Sequence, residues 1–359
     1  MRSAVALALF AVLAGCSSAG DRSSFGPYAA SPRLRSVSAS PAPYLYVASP
    51  ASSPYPSGSV EEYPLGSAVP IRTIVAGIDS PSGLALDRAS NLYVANYAAN
   101  TVTVYAPGAT KPSRTIEKGI DRPTALAFSH AGNLFVLNEP SISGDAPGSV
   151  VVFSPTGINP LHTITQGINE PHALAFDSAD RLYVANLFYG RLSSANGGIS
   201  VYSQGGVAPI RSITDGIRVP THIAFNSRGH LYVSNYGTSY EVNYPYNRGD
   251  VAIYGAGTSK RKHTIRTGVQ NPSTLAIDSQ DVLYVTCNYN CTNGGIVEYE
   301  PGGKTPVRTL SAYASTLLID AGDNLYAGNY NSVSVFAPAA TSPTYTIDRG
   351  ANALAFGNL

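Results

Sequence analysis

One short hydrophobic motif recurs along nearly the whole chain and limits the fold more than any other feature. The copies are 42 to 52 residues apart, and each period contains four β-type runs bounded by turn residues. Such a period is typical of a β-propeller blade rather than of a helical repeat. The seven copies are LYVAS at 45, LYVAN at 92, LFVLN at 134, LYVAN at 182, LYVSN at 231, LYVTC at 283 and LYAGN at 325.

The second copy shows how a unit is built. Its predicted strands A to D cover 84–86, 92–95, 102–105 and 114–116. The polar turn DRASN joins strands A and B, and similar turns recur in the other units, where a leading Asp or Asn can bond its own downstream backbone. A proline lies three residues before predicted strand A, where its missing N–H does no harm, in five units: Pro81, Pro123, Pro171, Pro220 and Pro272.

The two ends of the repeat region are complementary. The first unit has no strand A before Leu45, whereas the chain finishes on an extra strand A at 354–356. Pairing this last strand with the first unit would close the ring and leave no open sheet edge. The sequence therefore predicts an all-β fold over 43–359: a seven-bladed β-propeller of four-stranded antiparallel blades, closed by its C-terminal strand.

Residues 1–15 have the pattern of a secretory signal, with Arg2 before an apolar run that is too short to span a bilayer. The following Leu13-Ala14-Gly15-Cys16 resembles the lipobox of bacterial lipoproteins. This resemblance implies export, cleavage before Cys16 and lipidation of its sulfur. With Ser17 next, it implies an outer-membrane address if the cell is Gram-negative. An ordinary signal peptide with a chance cysteine is the alternative.

Residues 16–42 are rich in Ser, Ala, Pro and Arg and show no hydrophobic period, so we expect a flexible tether. Membrane contact would then occur only through the lipid anchor. The formal net charge is +1, and beyond Lys260-Arg261-Lys262 there is no basic run. We therefore expect no nucleic-acid partner.

Two further cysteines, Cys287 and Cys291, lie in the stretch CNYNC. An oxidising compartment permits them to form a short-loop disulfide. Two free thiols are the alternative, and a metal pair is disfavoured because no further Cys or clustered His is nearby. We predict no metal site here.

The pattern P-x-x-LA-h-D-x-x-x-x-LYVAN, seen at 171–186, resembles NHL-type repeats over nearly all of 43–359. It is also similar to the gluconolactonase and virginiamycin B lyase groups of propellers. These groups include scaffolds, binders, lactonases and lyases, so the resemblance implies the fold and leaves the activity open. The acidic metal ligands of gluconolactonases have no match, because the strand B ends carry Asn. We expect no cofactor, with a divalent ion as the open alternative.

The connections from strand B to strand C lengthen in the four middle blades, and in a propeller they all fall on one face. Long loops on a rigid scaffold often carry binding, so we expect a protein or glycan partner there. Two alternatives remain: the tyrosines pack loop against loop, and the recurring Asn caps the strand end. The candidate contacts are Asn138, Asn186, Phe188, Tyr189, Asn235, Tyr236, Tyr240, Tyr244, Asn288 and Tyr289.

Among the histidines, His172 and His222 lie just before predicted strand A in adjacent blades, at the channel mouth. Two imidazoles there could act as general base or as metal ligands. The virginiamycin lyase group is similar in placing histidines on this rim. By topology, Glu139 and Glu170 are the nearest acidic residues.

The strand D position held by Arg in four units is His162 or His263 in two others, and we expect both as outer-edge polar residues. No Walker loop, H-E-x-x-H helix or G-x-S-x-G elbow occurs. The leading expectation is therefore a lipid-anchored, non-catalytic propeller of the envelope or surface that binds a partner. The rival is a lyase or lactonase-type hydrolase around His172 and His222, and the third is a structural envelope component.

Overall fold

The protein is a ring of seven β-sheets in the computed structural model. Each sheet has four antiparallel strands, and no helix occurs within the described residues. The innermost strands of neighbouring sheets contact one another around the ring. The predicted all-β propeller of seven blades is therefore confirmed. The structure describes residues 44–52, 54–139, 147–187, 197–236, 249–288 and 295–357.

Each blade runs from an innermost strand A, through strands B and C, to an outermost strand D. Blades 1 to 3 consist of β28 (Ala353–Gly357), β1 (Tyr44–Ser49), β2 (Ser59–Pro64) and β3 (Arg72–Ile74); β4 (Pro81–Leu86), β5 (Leu92–Asn96), β6 (Thr101–Tyr105) and β7 (Arg114–Ile116); and β8 (Pro123–Phe128), β9 (Leu134–Asn138), β10 (Ser149–Phe153) and β11 (Pro160–Ile164). Blades 4 and 5 consist of β12 (Pro171–Phe176), β13 (Leu182–Asn186), β14 (Gly198–Tyr202) and β15 (Pro209–Ile213); and β16 (Pro220–Phe225), β17 (Leu231–Asn235), β18 (Asp250–Tyr254) and β19 (Arg261–Ile265). Blades 6 and 7 consist of β20 (Leu275–Ile277), β21 (Leu283–Cys287), β22 (Gly295–Tyr299) and β23 (Arg308–Ser311); and β24 (Thr316–Ile319), β25 (Leu325–Gly328), β26 (Val333–Phe336) and β27 (Tyr345–Ile347).

The ring closes at blade 1, where the C-terminal β28 pairs with β1 in antiparallel register. Tyr46 of β1 lies opposite Ala355 of β28. Asn352, just before β28, donates its side-chain amide to the Pro81 carbonyl of blade 2 at 3.0 Å. The predicted closure by the C-terminal strand is confirmed, and no inner strand at the seam is left without a ladder partner.

The recurring motif forms strand B, which is buried along its whole length in most blades. Both faces of a blade pack against neighbouring blades, so side chains on both sides of the strand are apolar. In four blades the strand B aromatic ring packs edge-on against a phenylalanine at the end of strand A in the next blade, or one residue before that end. These edge contacts, with ring centroids 4.8 to 5.1 Å apart, join Tyr93 to Phe128, Phe135 to Phe176, Tyr183 to Phe225 and Tyr326 to Phe356.

In most blades the polar turn between strands A and B is held by its leading Asp or Asn, as predicted. Asp177 Oδ1 accepts the backbone N–H groups of Ala179 and Arg181, both at 3.0 Å. Its other oxygen accepts the hydroxyl of Tyr183 at 3.1 Å. The tyrosine of the recurring motif and the aspartate of the turn are thus parts of one hydrogen-bonded unit.

Strand A begins earlier than the sequence predicted in blades 2 to 5. The proline that was expected to precede the strand by three residues is its first residue in β4, β8, β12 and β16. Pro81 lies opposite Asn96, and the register shifts between Pro81 and Gly83. A bulge follows the proline, so the missing N–H falls at the strand start, where the ladder tolerates it.

One position on strand D, which we call the wedge position, points back between blades rather than outward. Arg114 of β7 donates to the carbonyls of Pro155 and Thr156 in the next blade, both at 3.0 Å. His162 and His263, which were expected to be outer-edge polar residues, lie at this position on the outermost strand and are partly exposed. From blade 1 to blade 7 the wedge position is held by Arg72, Arg114, His162, Arg211, His263, Arg308 and Tyr345.

Candidate functional site at the channel mouth

The connections from strand B to C and from strand D to A lie on one side of the ring, which we call the channel-mouth face. At this face the Asn at the end of strand B is a buried cap. Asn186 accepts the N–H of Asn169 at 2.9 Å and donates to the Gly167 carbonyl at 3.2 Å. Asn138 and Asn235 make both equivalent bonds to the loop before their own strand A. Asn96 accepts the equivalent N–H, from Asp79 at 3.1 Å, and donates to the hydroxyl of Thr103 at 3.0 Å. The capping alternative accounts for these contacts, because the amides lie beneath the surface.

Two other predicted contact residues are described and lie at this face. Asn288 is exposed and donates its amide to the Asn271 carbonyl at 3.1 Å. Tyr236 follows strand B of blade 5 and is half-buried, with its backbone N–H on the Val219 carbonyl at 2.8 Å. Outside the described residues lie Phe188, Tyr189, Tyr240, Tyr244 and Tyr289.

Three cysteine predictions have different outcomes. Cys287, the last residue of β21, is disulfide-bonded. Cys291 and Cys16 lie outside the described residues. The pairing of Cys287 with Cys291 and the lipidation of Cys16 therefore stay predictions.

A polar pair that the sequence analysis did not identify crosses from blade 2 to blade 3. Tyr97 donates its hydroxyl to Glu139 Oε2 at 2.6 Å. Burial and this bond raise the pKa of Tyr97 to about 12. Arg122 donates to the backbone carbonyl of Glu139 at 3.4 Å. Tyr97 and Glu139 each follow the Asn that ends strand B, and this shared place in the repeat was the available signal.

A ring of small polar residues occupies the second position of strand A, which we call the rim position. Ser82 donates to the Pro123 carbonyl of the next blade at 2.5 Å, and Thr221 donates to the Pro272 carbonyl at 3.0 Å. Asn352, just before strand A of blade 1, makes the same bond to the Pro81 carbonyl of blade 2. In blade 4 the rim position carries His172 instead, so the repeat is broken there by an ionisable side chain.

His172 is only 7% exposed, and neither ring nitrogen has a hydrogen-bond partner among the described residues. Burial lowers its pKa, while the negative charge of Glu139 acts in the opposite direction and is the weaker effect. The imidazole is therefore neutral near pH 7. A neutral ring with free nitrogens can accept a hydrogen bond or a proton from a ligand.

His222 does not occupy the matching place. It lies one residue further along strand A, opposite Ser234 of strand B, and its side chain is buried. Thr221 takes the rim position of its blade. The structure thus brings His172 and Glu139 within electrostatic reach, whereas His222 belongs to the packed interior of blade 5.

Exposed aromatic rings occur at the same face in blade 7. Tyr313, in the connection leading to β24, is 68% exposed, and Tyr330, after β25, is 52% exposed. Asn329 ties the two segments together by donating to the Tyr313 carbonyl at 3.0 Å. Two exposed rings held on adjoining segments form a surface suited to stacking.

The described residues contain no group of three His, Cys, Asp or Glu side chains arranged to hold a metal ion. Within the same ranges, no helix has the length and hydropathy needed to cross a membrane.

No family model and no curated protein matches the chain. Among solved structures, it is similar to a chain of hydrazine synthase from Kuenenia stuttgartiensis, with a TM-score of 0.68 and 14% identity over 87% of this chain and 99% of that one. It is also similar to the computationally designed Ika8 protein, with a TM-score of 0.59 and 14% identity over 85% of each chain. At such identity the likeness shows the fold alone: a seven-bladed β-propeller.

Proposed function

We propose that the protein is an exported, lipid-anchored propeller, related to the NHL-type group, that binds a glycan or protein partner at its channel-mouth face. The observation that carries the proposal is the gathering of polar and aromatic side chains at this one face. Tyr97 is bonded to Glu139, and Tyr313 and Tyr330 present exposed rings on adjoining segments. The rigid ring beneath them holds these groups in place, which lowers the entropy lost on binding.

Substitution of the two exposed tyrosines tests the proposed binding face most directly. We expect Tyr313→Ala/Tyr330→Ala to weaken partner capture at least roughly tenfold, because stacked aromatic side chains dominate such contacts. Val69→Ala is the matched control, since Val69 is also exposed, at 70%, but lies in the turn between β2 and β3. A glycan array and a pull-down from envelope extract would identify the class of partner. Equal capture by the double variant and the control would refute this face as the binding surface.

The proposed anchor is tested separately. We expect Cys16→Ser to release the protein from the membrane fraction into the soluble exported fraction, since the thiol would carry the lipid. Retention of this variant in the membrane fraction would contradict the anchor and leave the binding face untouched. The test is fractionation of cells that express the full chain.

Catalysis at His172 is the second candidate, and the buried imidazole with both nitrogens unpartnered among the described residues is the observation that favours it. Its partners in a lyase or lactonase-type reaction would be Glu139 and Tyr97, with His172 as general base. We expect His172→Thr to abolish turnover of any lactone or lyase substrate found by screening. Unchanged turnover in that variant would exclude His172 as the catalytic base.

A further inference from the structure

The side chain at the wedge position lies at the gap between two blades. In blade 4, Arg211 donates to the hydroxyl of Tyr183 at 2.7 Å and to the Gly257 carbonyl in the C–D turn of blade 5. Its guanidinium lies over the Tyr183 ring, 5.7 Å from the centroid. In blade 7, Tyr345 reaches the C–D turn of blade 1, where its hydroxyl accepts the N–H of Gly66 at 3.1 Å. In blades 4 and 7 the long side chain thus spans the interblade gap.

Histidine is shorter than arginine, and a cavity lies at each blade that carries it. The cavity beside His162, between blades 3 and 4, is about 30 Å³ and is lined by Asp180 and Gln204, which bond each other at 3.1 Å. The cavity beside His263, between blades 5 and 6, is about 90 Å³. A single water needs roughly 10 to 15 Å³ in this measure, so the second cavity has room for a small polyatomic ion.

The lining of the larger cavity is cationic. Arg228 and Lys262 contribute two positive charges, and the imidazoles of His230 and His263 lie with them. Asp281 is the acidic residue of the lining, and its oxygens already accept the N–H of Ser227 at 2.8 Å and its hydroxyl at 2.9 Å. The nearest guanidinium nitrogen of Arg228 is 4.0 Å from that carboxylate, so Arg228 retains donors for another anion.

We propose that this cavity, which faces away from the channel mouth, is a binding site for a phosphate-type oxyanion. Arg228 and Lys262 supply charge and N–H donors, which are the groups that recognise phosphoryl oxygens. His230 and His263 supply further donors when protonated. The cavity between blades 3 and 4 serves as an internal comparison, because its lining holds neither lysine nor arginine.

Titration calorimetry of the purified protein with inorganic phosphate tests the proposal. We expect Arg228→Gln and Lys262→Gln each to lower phosphate affinity at least about threefold. Lys111→Gln, an equal charge change at an exposed lysine of blade 2, should leave it unchanged. Equal affinity in all three variants and the wild type would overturn the proposal.

The variant His263→Arg tests whether phosphate binding requires the cavity or only positive charge at the surface. This variant adds a charge but places in the gap the side chain that fills it in blade 4, so we expect phosphate binding to be lost. Tighter binding in His263→Arg would mean that only surface charge attracts the ion, and the site would be refuted. Glycerol 3-phosphate tests whether the natural ligand is free phosphate or a phosphoryl group on a larger molecule. Binding of both phosphate and glycerol 3-phosphate supports the phosphoryl group, and binding of phosphate alone supports the free ion.

The imidazoles give a second, independent readout. His230 faces Lys262, Arg228, His263 and Asp281, and burial together with the neighbouring cations lowers its pKa. Sulfate keeps its charge in mild acid, so a change in its affinity with pH reports protonation of the protein and not of the ligand. We expect sulfate to bind more tightly at pH about 5.5 than at pH about 8, with the difference reduced in His230→Gln. The same sulfate affinity at both pH values would show that the imidazoles do not contribute to anion binding.

Discussion

Tyr97 of blade 2 donates its hydroxyl to the carboxylate of Glu139 in blade 3 at 2.6 Å, directly across the boundary between the two blades. Each backbone N–H is also bonded to the loop before strand A of its own blade, to Ser80 at 3.1 Å and Arg122 at 3.2 Å. Neither residue can therefore shift without disturbing its blade. The pair is a fixed polar feature beside the buried His172, which sits one blade further along.

The first prediction concerns this bond. Tyr97→Phe leaves the half-buried carboxylate of Glu139 without its donor, and we expect a loss of about 1 kcal/mol in the free energy of unfolding. The exposed Tyr313→Phe is the control and should change it by less than about 0.5 kcal/mol. Urea denaturation measures both, and equal stability of the two variants would contradict the assigned bond.

The bond should also survive mild alkali. The pKa of Tyr97 is raised to about 12 in the folded protein, above the ordinary phenol value of 10.0. A raised acid pKa means that the stabilisation is complete below the unfolded pKa and is lost as pH rises toward the folded one. The difference between Tyr97→Phe and wild type should accordingly stay constant up to pH about 9.

The second prediction follows from the buried imidazole at the rim position. Burial lowers the pKa of His172, so the unfolded chain binds a proton in preference to the folded one. The stability associated with the neutral ring is complete above the unfolded pKa, about 6.5, and is lost as pH falls below it. We expect His172→Thr to gain stability relative to wild type as pH falls from about 7.5 to about 5.

The replacement also has a structural rationale. A threonine at the rim position can donate to the Pro220 carbonyl, as Thr221 donates to the Pro272 carbonyl in the next blade. Urea denaturation at several pH values gives the measurement. An unchanged difference between the two proteins across this range would mean that His172 does not titrate on unfolding in the way described.

The repeat could be recognised in the sequence because each strand B lies in the same environment. Strand B is buried between neighbouring blades each time, so the same Leu-Tyr-Val run recurs, and its predicted start at Leu92 or Leu182 agrees with the structure. The start of strand A was placed too late, since the bulge after Pro81 depends on pairing with Asn96, which no local pattern reveals.

The candidate site was only partly predictable. Glu139 was identified by topology and His172 by its place just before predicted strand A, and in the structure the Glu139 carboxylate is close enough to affect the pKa of His172. Tyr97 was missed because its partner is 42 residues away, in the next blade. The role of Arg114 between blades was missed, because its bond to the Pro155 carbonyl of the next blade cannot be seen from the sequence of a single repeat.

The third prediction uses the wedge position to stabilise blade 3. Phe135 and His162 stand where blades 2 and 4 carry Tyr and Arg, and the buried Nε2 of His162 has no hydrogen-bond partner among the described residues. We expect Phe135→Tyr/His162→Arg to raise the free energy of unfolding by about 1 kcal/mol, because the new bonds replace an unsatisfied group. Arg211→His, the reverse change in blade 4, should lower it. If urea denaturation shows that both changes lower the free energy of unfolding, arginine at the wedge position is not more stabilising than histidine.

The fourth prediction concerns the seam that closes the ring. Glu61 of β2 is 2% exposed, and its carboxylate accepts the Ser49 hydroxyl at 2.7 Å and the Ser59 hydroxyl at 2.6 Å. Arg349, in the connection from β27 to β28, donates to the same carboxylate at 2.8 Å. The arginine thus ties the C-terminal connection to the first blade.

Removing one partner of a buried ion pair destabilises a protein because the other charge is left uncompensated. We expect Arg349→Ala to lower the free energy of unfolding by about 2 kcal/mol, less than for a fully buried pair because the arginine side chain is 22% exposed. The double variant Glu61→Gln/Arg349→Ala should recover part of this loss, since it no longer buries an unpaired carboxylate. Lys304→Ala, an exposed charge removed elsewhere, should change stability by less than about 0.5 kcal/mol. If the double variant is as unstable as the sum of the two single variants, Glu61 and Arg349 act independently, and their ion pair does not hold the seam.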